Sequence, residues 1–389
     1  MSTELEADIN STKKLSKTEQ YYVASNWVLM RRRFFKHKFA VISLVVLVLL
    51  YLIGAFAGFV SPYDKILSNT ELALVPPTRV RIFHDGKLRR PFVYQVIRER
   101  NPDTFLWEYS EDKSIRYPIK FGVKGDPYKF VGIFDWDVHL FGVDDPAETD
   151  ILFDEDRLPA IVYLFGADQL GRCVFSRTIY GARISLSIGL VGVFISFILG
   201  CLIGGISGFA GGAVDMALMR SVEFIESIPG TPMWMAMAAA IPIGWPTITK
   251  YFLITVILSL LGWTGLSRTV RGKILALREE DYVMAARISG QGTVQTVARH
   301  MLPNFMGYLI VSLTLSVPGM ILGETGLSFL GLGLQPPVVS WGVALQQASN
   351  IRTIAVYYWL LIPALFVVVA VLVFNFVGDG LRDAADPYK

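Results

Sequence analysis

Apolar residues fall in six long runs along the chain, separated by short polar segments and by one long polar segment after the first run. The runs are Phe39–Val60, Ile184–Ile206, Phe224–Ile243, Tyr251–Leu266, Phe305–Leu322 and Ile354–Val377. An α-helix needs roughly 20 such residues to cross a hydrocarbon core of about 30 Å. The pattern therefore predicts an all-α polytopic membrane protein with six transmembrane helices.

The composition agrees with a membrane protein, since 53% of the 389 residues are hydrophobic and only 18% are charged. The net charge is +3, and the basic residues cluster beside the apolar runs, where membrane topology explains them. We therefore expect membrane lipid as a partner and no nucleic acid. The two cysteines, Cys173 and Cys201, stand alone and do not form a metal-ligand spacing.

Positive charge on the short flanks of the runs indicates their orientation. The segment before the first run is rich in Arg and Lys, and so is the loop 268–304 between the fourth and fifth runs. The positive-inside rule places both on the cytoplasmic side. Six crossings return the chain to the side from which it started, so we expect both termini to be cytoplasmic.

The runs also divide the chain into five regions. We predict a cytoplasmic N-terminal segment 1–38, a first transmembrane helix 39–61, an extracytoplasmic insert 62–162, a core of five helices 163–377, and a cytoplasmic tail 378–389.

The insert reads as a small β-rich domain. Residues 78–84 and 91–97 are rich in β-formers and flank Asp85-Gly86, a dipeptide typical of hairpin turns. Further strand-like pieces are 114–121 and 128–134. Two interpretations remain open: the insert packs only on its own membrane core, or it is a docking or gating surface for a partner or substrate.

Small residues recur every four positions along the second run. The ladder consists of Gly192, Ser196, Gly200, Gly204, Gly208 and Gly212. Such a stripe lies on one helix face and lets a neighbouring backbone approach closely. Gly200, Gly204 and Gly208 therefore mark either intrachain helix packing or a contact that slides during transport.

Charges between the second and third runs are candidates for a second role. Arg220 and Glu223 are three residues apart and close enough to pair on a helix, and Glu226 lies in the first turn of the third run. Because charge is costly in hydrocarbon, Glu223 and Glu226 have either a structural role at the membrane surface or a place near a permeation pathway.

The loop 268–304 has an unusual design. Residues Asp281–Ser289 form a short helix with small side chains on one face, and Gly290-Gln291-Gly292 breaks it. An apolar stripe at helical spacing follows and ends at Pro303. This segment is either a surface helix packed on its own bundle or a lever whose small face enters a groove on a soluble partner.

The same residues carry a family resemblance. The pattern Ala285-Ala286-x3-Gly290-x11-Leu302-Pro303 resembles the "EAA" motif of binding-protein-dependent ABC importer permeases. Further segments resemble the dipeptide/oligopeptide subfamily: 165–172, 176–177, 180–185, 215–229, 324–333, 336–342 and 378–387. Together with 25–62, they extend the resemblance to nearly everything but the insert.

The resemblance implies a type I ABC importer permease fold in the bacterial inner membrane. It implies that the chain translocates di- or oligopeptides by alternating access and is not itself an enzyme. The implied partners are a second homologous permease, two cytoplasmic ABC ATPases and a periplasmic substrate-binding protein. ATP and Mg would be bound by the ATPases and no cofactor by this chain, which has no G-x4-G-K-[ST] phosphate loop. The implied ATPase-coupling residues are Asp281, Tyr282, Ala285, Ala286, Arg287, Ser289, Gly290 and Pro303.

Departures from the family pattern leave alternatives open. Met284 stands at the usual Glu of the motif, Cys173 at an acidic position, and Ala167 at a usual Thr. The same machinery would also suit an oligosaccharide, an opine or a nickel complex. An intramembrane enzyme or channel is the other class, although HExxH and GxSxG patterns are absent from the sequence and only Glu223 and Glu226 suggest a site.

Overall fold

The computed structural model describes residues 26–84, 87–103, 105, 107–130, 132–143, 158, 160–242 and 244–386. Most of the predicted segment 1–38, the turn Asp85-Gly86, residue Ile243 and the end of the predicted tail therefore lie outside the described residues.

Helices account for most of the described chain. In chain order they are α1 (Asn26–Lys36), α2 (Lys38–Ala55), α3 (Ala57–Val60), α4 (Val174–Ala210), α5 (Gly212–Glu226), α6 (Gly230–Ala239), α7 (Thr247–Leu277), α8 (Asp281–Ile288), α9 (Thr293–Thr296), α10 (Met306–Phe329), α11 (Trp341–Leu345), α12 (Ile351–Val356) and α13 (Ile362–Ala385). A π-helical turn, Val297–Met301, and a 3-10 turn, Leu302–Phe305, join α9 to α10. Further 3-10 turns are Thr70–Leu72, Gln346–Ala348 and Tyr358–Leu361.

Within the described residues, five helices are long and apolar enough to cross a membrane, whereas the sequence predicts six. They are Lys38–Ala55, Val174–Ala210, Thr247–Leu277, Thr293–Phe329 and Tyr358–Ala385. The predicted third helix, Phe224–Ile243, is divided instead into α5 and α6. The cause is Pro229, which lacks an N–H for the helical ladder and has the extended ψ of 125° at the N-cap of α6.

The long helices pack around a shared apolar core drawn from α2, α4, α10 and α13. Leu47, Leu186, Ile321 and Phe374 are among its buried members. Trp341 of α11 is fully buried beside them, and its indole Nε1 donates to the carbonyl oxygen of Thr178 at 3.0 Å. This bond satisfies the one polar atom that the indole brings into the core.

The first and last described residues of the chain lie together at one end of the helix bundle. Gly380 of α13 lies against Ala40 and Phe34, and Arg33 donates to the carbonyl oxygen of Asp386 at 2.5 Å. Gly307, at the start of α10, faces Ala385. The loop that carries α8 therefore returns to the bundle at the same end as both ends of the described chain.

A four-stranded antiparallel sheet occupies the opposite end. Its strands β1 (Arg81–His84), β2 (Lys87–Arg100), β3 (Trp107–Phe130) and β4 (Phe134–Val143) pair in sequence order. The 24-residue β3 pairs with β2 through its first part and with β4 through its second part. The pairing of β3 with β4 shifts register between Lys124 and Tyr128, and Tyr128 packs on Gly58 of α3.

Candidate functional site

The candidate lever helix α8 lies flat against the bundle on one side only. Val283 and Ala286, three residues apart, are its buried side chains. Val283 packs in an apolar cluster with Ile274 of α7 and Met301 of the π-helical turn. Through Val283, α8 therefore contacts both the end of α7 and the segment leading into α10.

The outer side of α8 is open to solvent. Its exposed members are Asp281, Tyr282, Met284, Ala285, Arg287 and Ile288, and Ser289 and Gly290 follow them at the C-terminal end. Ile288, a large apolar side chain, is 85% exposed. The predicted small face is thus divided, because Ala286 turns inward while Tyr282, Ala285 and Ser289 remain outside.

The end of α8 is set by backbone geometry. Gly290 has φ +78°, in the left-handed region that glycine adopts without penalty. Its N–H donates to the carbonyl oxygen of Arg287, and the N–H of Gln291 donates to the carbonyl oxygen of Ala286 at 3.2 Å. This reversal directs the chain back along the bundle into α9.

Side-chain hydrogen bonds connect α8 and the turn after it to the segment that follows. Asn304 Nδ2 donates to the Tyr282 hydroxyl at 3.2 Å, and His300 Nε2 lies 2.9 Å from Gln291 Oε1. Pro303 is exposed and is one of the first two residues of the 3-10 turn. The residues Val297–Met301 before it form a π-helical turn, a local irregularity common at functional positions.

An ion pair joins α5 to α7 just above α8. Arg271 donates through Nε and Nη2 to the two carboxylate oxygens of Asp215, at 2.5 and 2.6 Å. Ser207 of α4 donates a further hydrogen bond to Asp215. The hydrogen bonds from Arg271 hold the pKa of the Asp215 carboxyl below its usual range. Three helices therefore meet at one carboxylate.

The other charges at this end also pair. Arg220 lies 2.8 Å from Glu223, the i,i+3 pair that the sequence predicts. Glu226 pairs with Arg268 of α7 at 2.7 Å. Sequence reasoning missed Arg268 and Arg271 as partners, because the only available signal was their complementary charge on a different helix.

The glycine ladder faces α7. A Cβ on Gly204 would lie 2.3 Å from the carbonyl oxygen of Ser267, and one on Gly208 would lie 2.8 Å from that of Arg271. Gly200 meets the side chain of Leu266 in the same way. These contacts place the three glycines in an intrachain helix interface, where α4 and α7 run parallel to each other.

A separate groove of about 230 Å³ opens among α4, α6, α7 and α10. Its lining combines apolar side chains with Ser196, Trp234, Ser312 and Ser316. Sequence reasoning named Ser196 only as a ladder residue and missed the others, since isolated serines in apolar runs carry no motif. The groove is the candidate pathway surface within the bundle.

The structure offers little that could hold a metal or cofactor. Across the residues it describes, His, Cys, Asp and Glu side chains nowhere gather in groups of three that could hold a metal ion. Cys173 is buried at the start of α4, and burial raises the pKa of its thiol to about 11. A thiol that stays protonated is a poor ligand and a poor nucleophile.

Comparisons with known proteins agree on one family. Residues 184–388 match the model of the binding-protein-dependent transport system inner membrane component, and residues 25–77 match that of the N-terminal transmembrane domain of oligopeptide transport permease C.

The chain is similar to three named relatives. The dipeptide transport system permease protein DppC of Bacillus subtilis is 40% identical over 238 residues, covering 61% of this chain and 72% of that protein. The oligopeptide transport system permease protein OppC of Haemophilus influenzae is 42% identical over 58% of this chain and 70% of its own. DppC of Lactococcus lactis subsp. cremoris is 30% identical over 97% of this chain and 94% of its own, an extent that takes in the insert.

Proposed function

Because the chain belongs to the family of binding-protein-dependent transport system inner membrane components, we propose that it is the membrane-spanning permease subunit of an ATP-driven importer of di- or oligopeptides. The single observation that supports its mechanism is the position of α8, exposed on one side and packed against α7 and the π-helical turn on the other. The peptide cargo rests on the named activities of the similar permeases.

The permease has six crossings. The third contains α6, whereas α5 lies at the cytoplasmic end, where Asp215 and Glu226 pair with neighbouring arginines of α7. Gly192 of α4 lies beside Ser259 of α7, and Gly208 lies beside Arg271, so the two helices run in the same direction. This parallel arrangement supports a further crossing between α4 and α7. The contact between Ala40 and Gly380, near the start of α2 and the end of α13, supports an even number of crossings in total. The basic segment at this end makes it cytoplasmic by the positive-inside rule.

The transport cycle begins at α8. The exposed Tyr282, Ala285 and Ile288 enter a groove on a cytoplasmic ABC ATPase, which binds ATP and Mg and supplies the hydrolysis. Movement of the ATPases shifts α8, and Val283 passes that shift to α7. The Arg271–Asp215 pair then carries it to α5. Two ATPases act on this permease and on a second, homologous one.

The cargo passes along the bundle from a periplasmic substrate-binding protein. The groove containing Ser196, Trp234 and Ser316 lines part of that path, where hydroxyl groups and an indole N–H suit the amide groups of a peptide. Glu223 and Glu226 lie at the cytoplasmic end and are held by arginines, so their role is structural.

The test is a coupling assay on the reconstituted transporter with both permeases, both ATPases and the binding protein. Ala285→Glu places a charge on the exposed side of α8, and we expect peptide uptake to fall about tenfold while ATP hydrolysis loses its stimulation by the binding protein. Ala355→Glu, at an exposed alanine of α12 at the other end of the bundle, is the matched control. Full uptake by the Ala285→Glu transporter would exclude α8 as the coupling element.

A further inference from the structure

An apolar groove of about 530 Å³ lies where the first membrane helix meets the sheet. Its walls are residues 52–60 of α2 and α3 on one side and Phe130 and Trp136 of the β3–β4 hairpin on the other. The Phe56 and Phe130 rings are 5.4 Å apart, and the Phe130 and Trp136 rings are 6.2 Å apart. The transport mechanism makes no use of this groove.

The hairpin is held firmly in this position. Tyr128 packs directly on Gly58, where a Cβ would lie 2.2 Å from its ring. His139 of β4 bridges the two parts, with Nδ1 2.5 Å from the carbonyl oxygen of Ser61 and Nε2 3.0 Å from that of Asp126. The groove is therefore a fixed part of the fold.

The end of the hairpin is amphipathic. Tyr128 pairs with Trp136 and Phe130 pairs with Phe134, so one face carries four aromatic rings. The intervening pair, Lys129 and Asp135, places its charges on the other face. Phe134 is 65% exposed, Trp136 51%, and Ile133 at the turn 71%. So many exposed apolar side chains in one place indicate a surface that contacts a membrane or another protein.

The level of the groove along α2 corresponds to the membrane boundary. Helix α2 begins at Lys38, and a hydrocarbon core of about 30 Å is crossed in roughly 20 residues, which ends near Gly58. Aromatic residues are enriched at this level. Arg183 lies beside the turn, its guanidinium Nη2 3.4 Å from the Cβ position of Gly132, and long basic side chains extend toward lipid head groups at such positions.

The groove also continues a lipid-facing stripe. Ile42, Val45, Leu49 and Leu52 are exposed at helical spacing along the crossing part of α2, and Leu52 is itself a wall of the groove. We propose that the hairpin end, with Phe130, Phe134 and Trp136, is immersed in the leaflet next to the sheet. In this position the groove holds an acyl chain of a glycerophospholipid whose phosphate faces Arg183.

The test uses photocrosslinking in the whole transporter, embedded in nanodiscs of phosphatidylethanolamine and phosphatidylglycerol. A benzophenone amino acid replaces Phe134 in one variant and Phe121 in the other. Phe121 is the matched control, since it is 72% exposed on the same strand pair but lies nine residues further from the hairpin end along β3. Both changes exchange one aromatic ring for another, and an unchanged thermal unfolding temperature confirms folding.

We expect mass spectrometry to find phospholipid adducts at position 134 and at least tenfold fewer at position 121. Adding Arg183→Gln should lower the adducts at 134 severalfold, because the phosphate loses its partner. Adducts at 134 to the second permease or to the binding protein would overturn the proposal, as would equal lipid labelling at both positions. Transport function plays no part in this outcome, so failure here leaves the proposed importer intact.

Discussion

Arg271 donates hydrogen bonds to both carboxylate oxygens of Asp215, from its Nε and Nη2 at 2.5 and 2.6 Å. The two residues are 56 positions apart, and their pairing ties α5 to α7 at the end where α8 is exposed. A bidentate pair fixes orientation as well as distance, because the planar guanidinium matches the carboxylate at two points.

We predict that Asp215→Asn lowers the stability of the detergent-solubilised protein by about 1–2 kcal/mol, since charged hydrogen bonds at a partly buried site are lost. The matched control is Glu223→Gln, whose partner Arg220 is largely exposed and whose loss should cost less than about 0.5 kcal/mol. Thermal unfolding followed by tryptophan fluorescence measures both. Equal effects would show that the Arg271 pair contributes no more than a surface pair.

The same pair predicts a pH dependence. Arg271 lowers the pKa of Asp215 in the folded protein, so the carboxylate contributes stability above its unfolded pKa, and this contribution is lost as pH falls through the lowered folded value. The stability difference between the unsubstituted protein and Asp215→Asn should be constant from about pH 5 to 7 and shrink below about pH 4. A difference that grows on acidification would contradict this assignment.

Gly290 and Gly292 give a pair of predictions that differ only in backbone conformation. A Cβ at either position would meet open space, but φ is +78° at Gly290 and −69° at Gly292. Gly290→Ala should destabilise the end of α8 by about 1 kcal/mol, whereas Gly292→Ala should leave it unchanged or slightly more stable. Hydrogen–deuterium exchange of residues 281–289 measures this local opening. Faster exchange in both variants would mean that flexibility, and not the left-handed turn, is what the glycines supply.

Gly204 and Gly265 test the helix interface. Gly204→Ala would force a methyl group to within 2.3 Å of the Ser267 carbonyl oxygen, so α4 and α7 must separate, at a cost of about 1–3 kcal/mol. Gly265→Ala, in α7 with no atom near its Cβ position, should stabilise the helix by about 0.5–1 kcal/mol. Thermal unfolding of the two variants should therefore shift in opposite directions. Tolerance of Gly204→Ala would mean that the interface is loose.

Hydropathy predicted most of the membrane-crossing elements because burial in lipid requires long apolar stretches whatever the tertiary contacts. The predicted third helix, Phe224–Ile243, is not continuous, because Pro229 divides α5 from α6. Proline within a crossing is tolerated only when its surroundings satisfy the backbone, and a single sequence does not reveal those surroundings.

The sequence predicted the position of the helix α8 but not which of its side chains face outward. The motif placed a helix at 281–289, and the structure has one at Asp281–Ile288. Which residues face outward depends on the rotation of α8 against Ile274 and Met301, and this packing buries Ala286. The sequence could not predict the Arg271–Asp215 pair either. The spacing of the two residues follows no helical period, and only the fold brings them together.

The break at Ser227–Pro229 makes α5 and α6 two stiff rods in series with a joint between them. A rigid rod pushed at one end must move at the other, whereas a jointed one lets its two halves tilt by different amounts. Arg271 and Arg268 both hold α5, through Asp215 and Glu226. The joint therefore allows α6 to tilt within the bundle without an equal displacement of α5, whose position those two arginines fix.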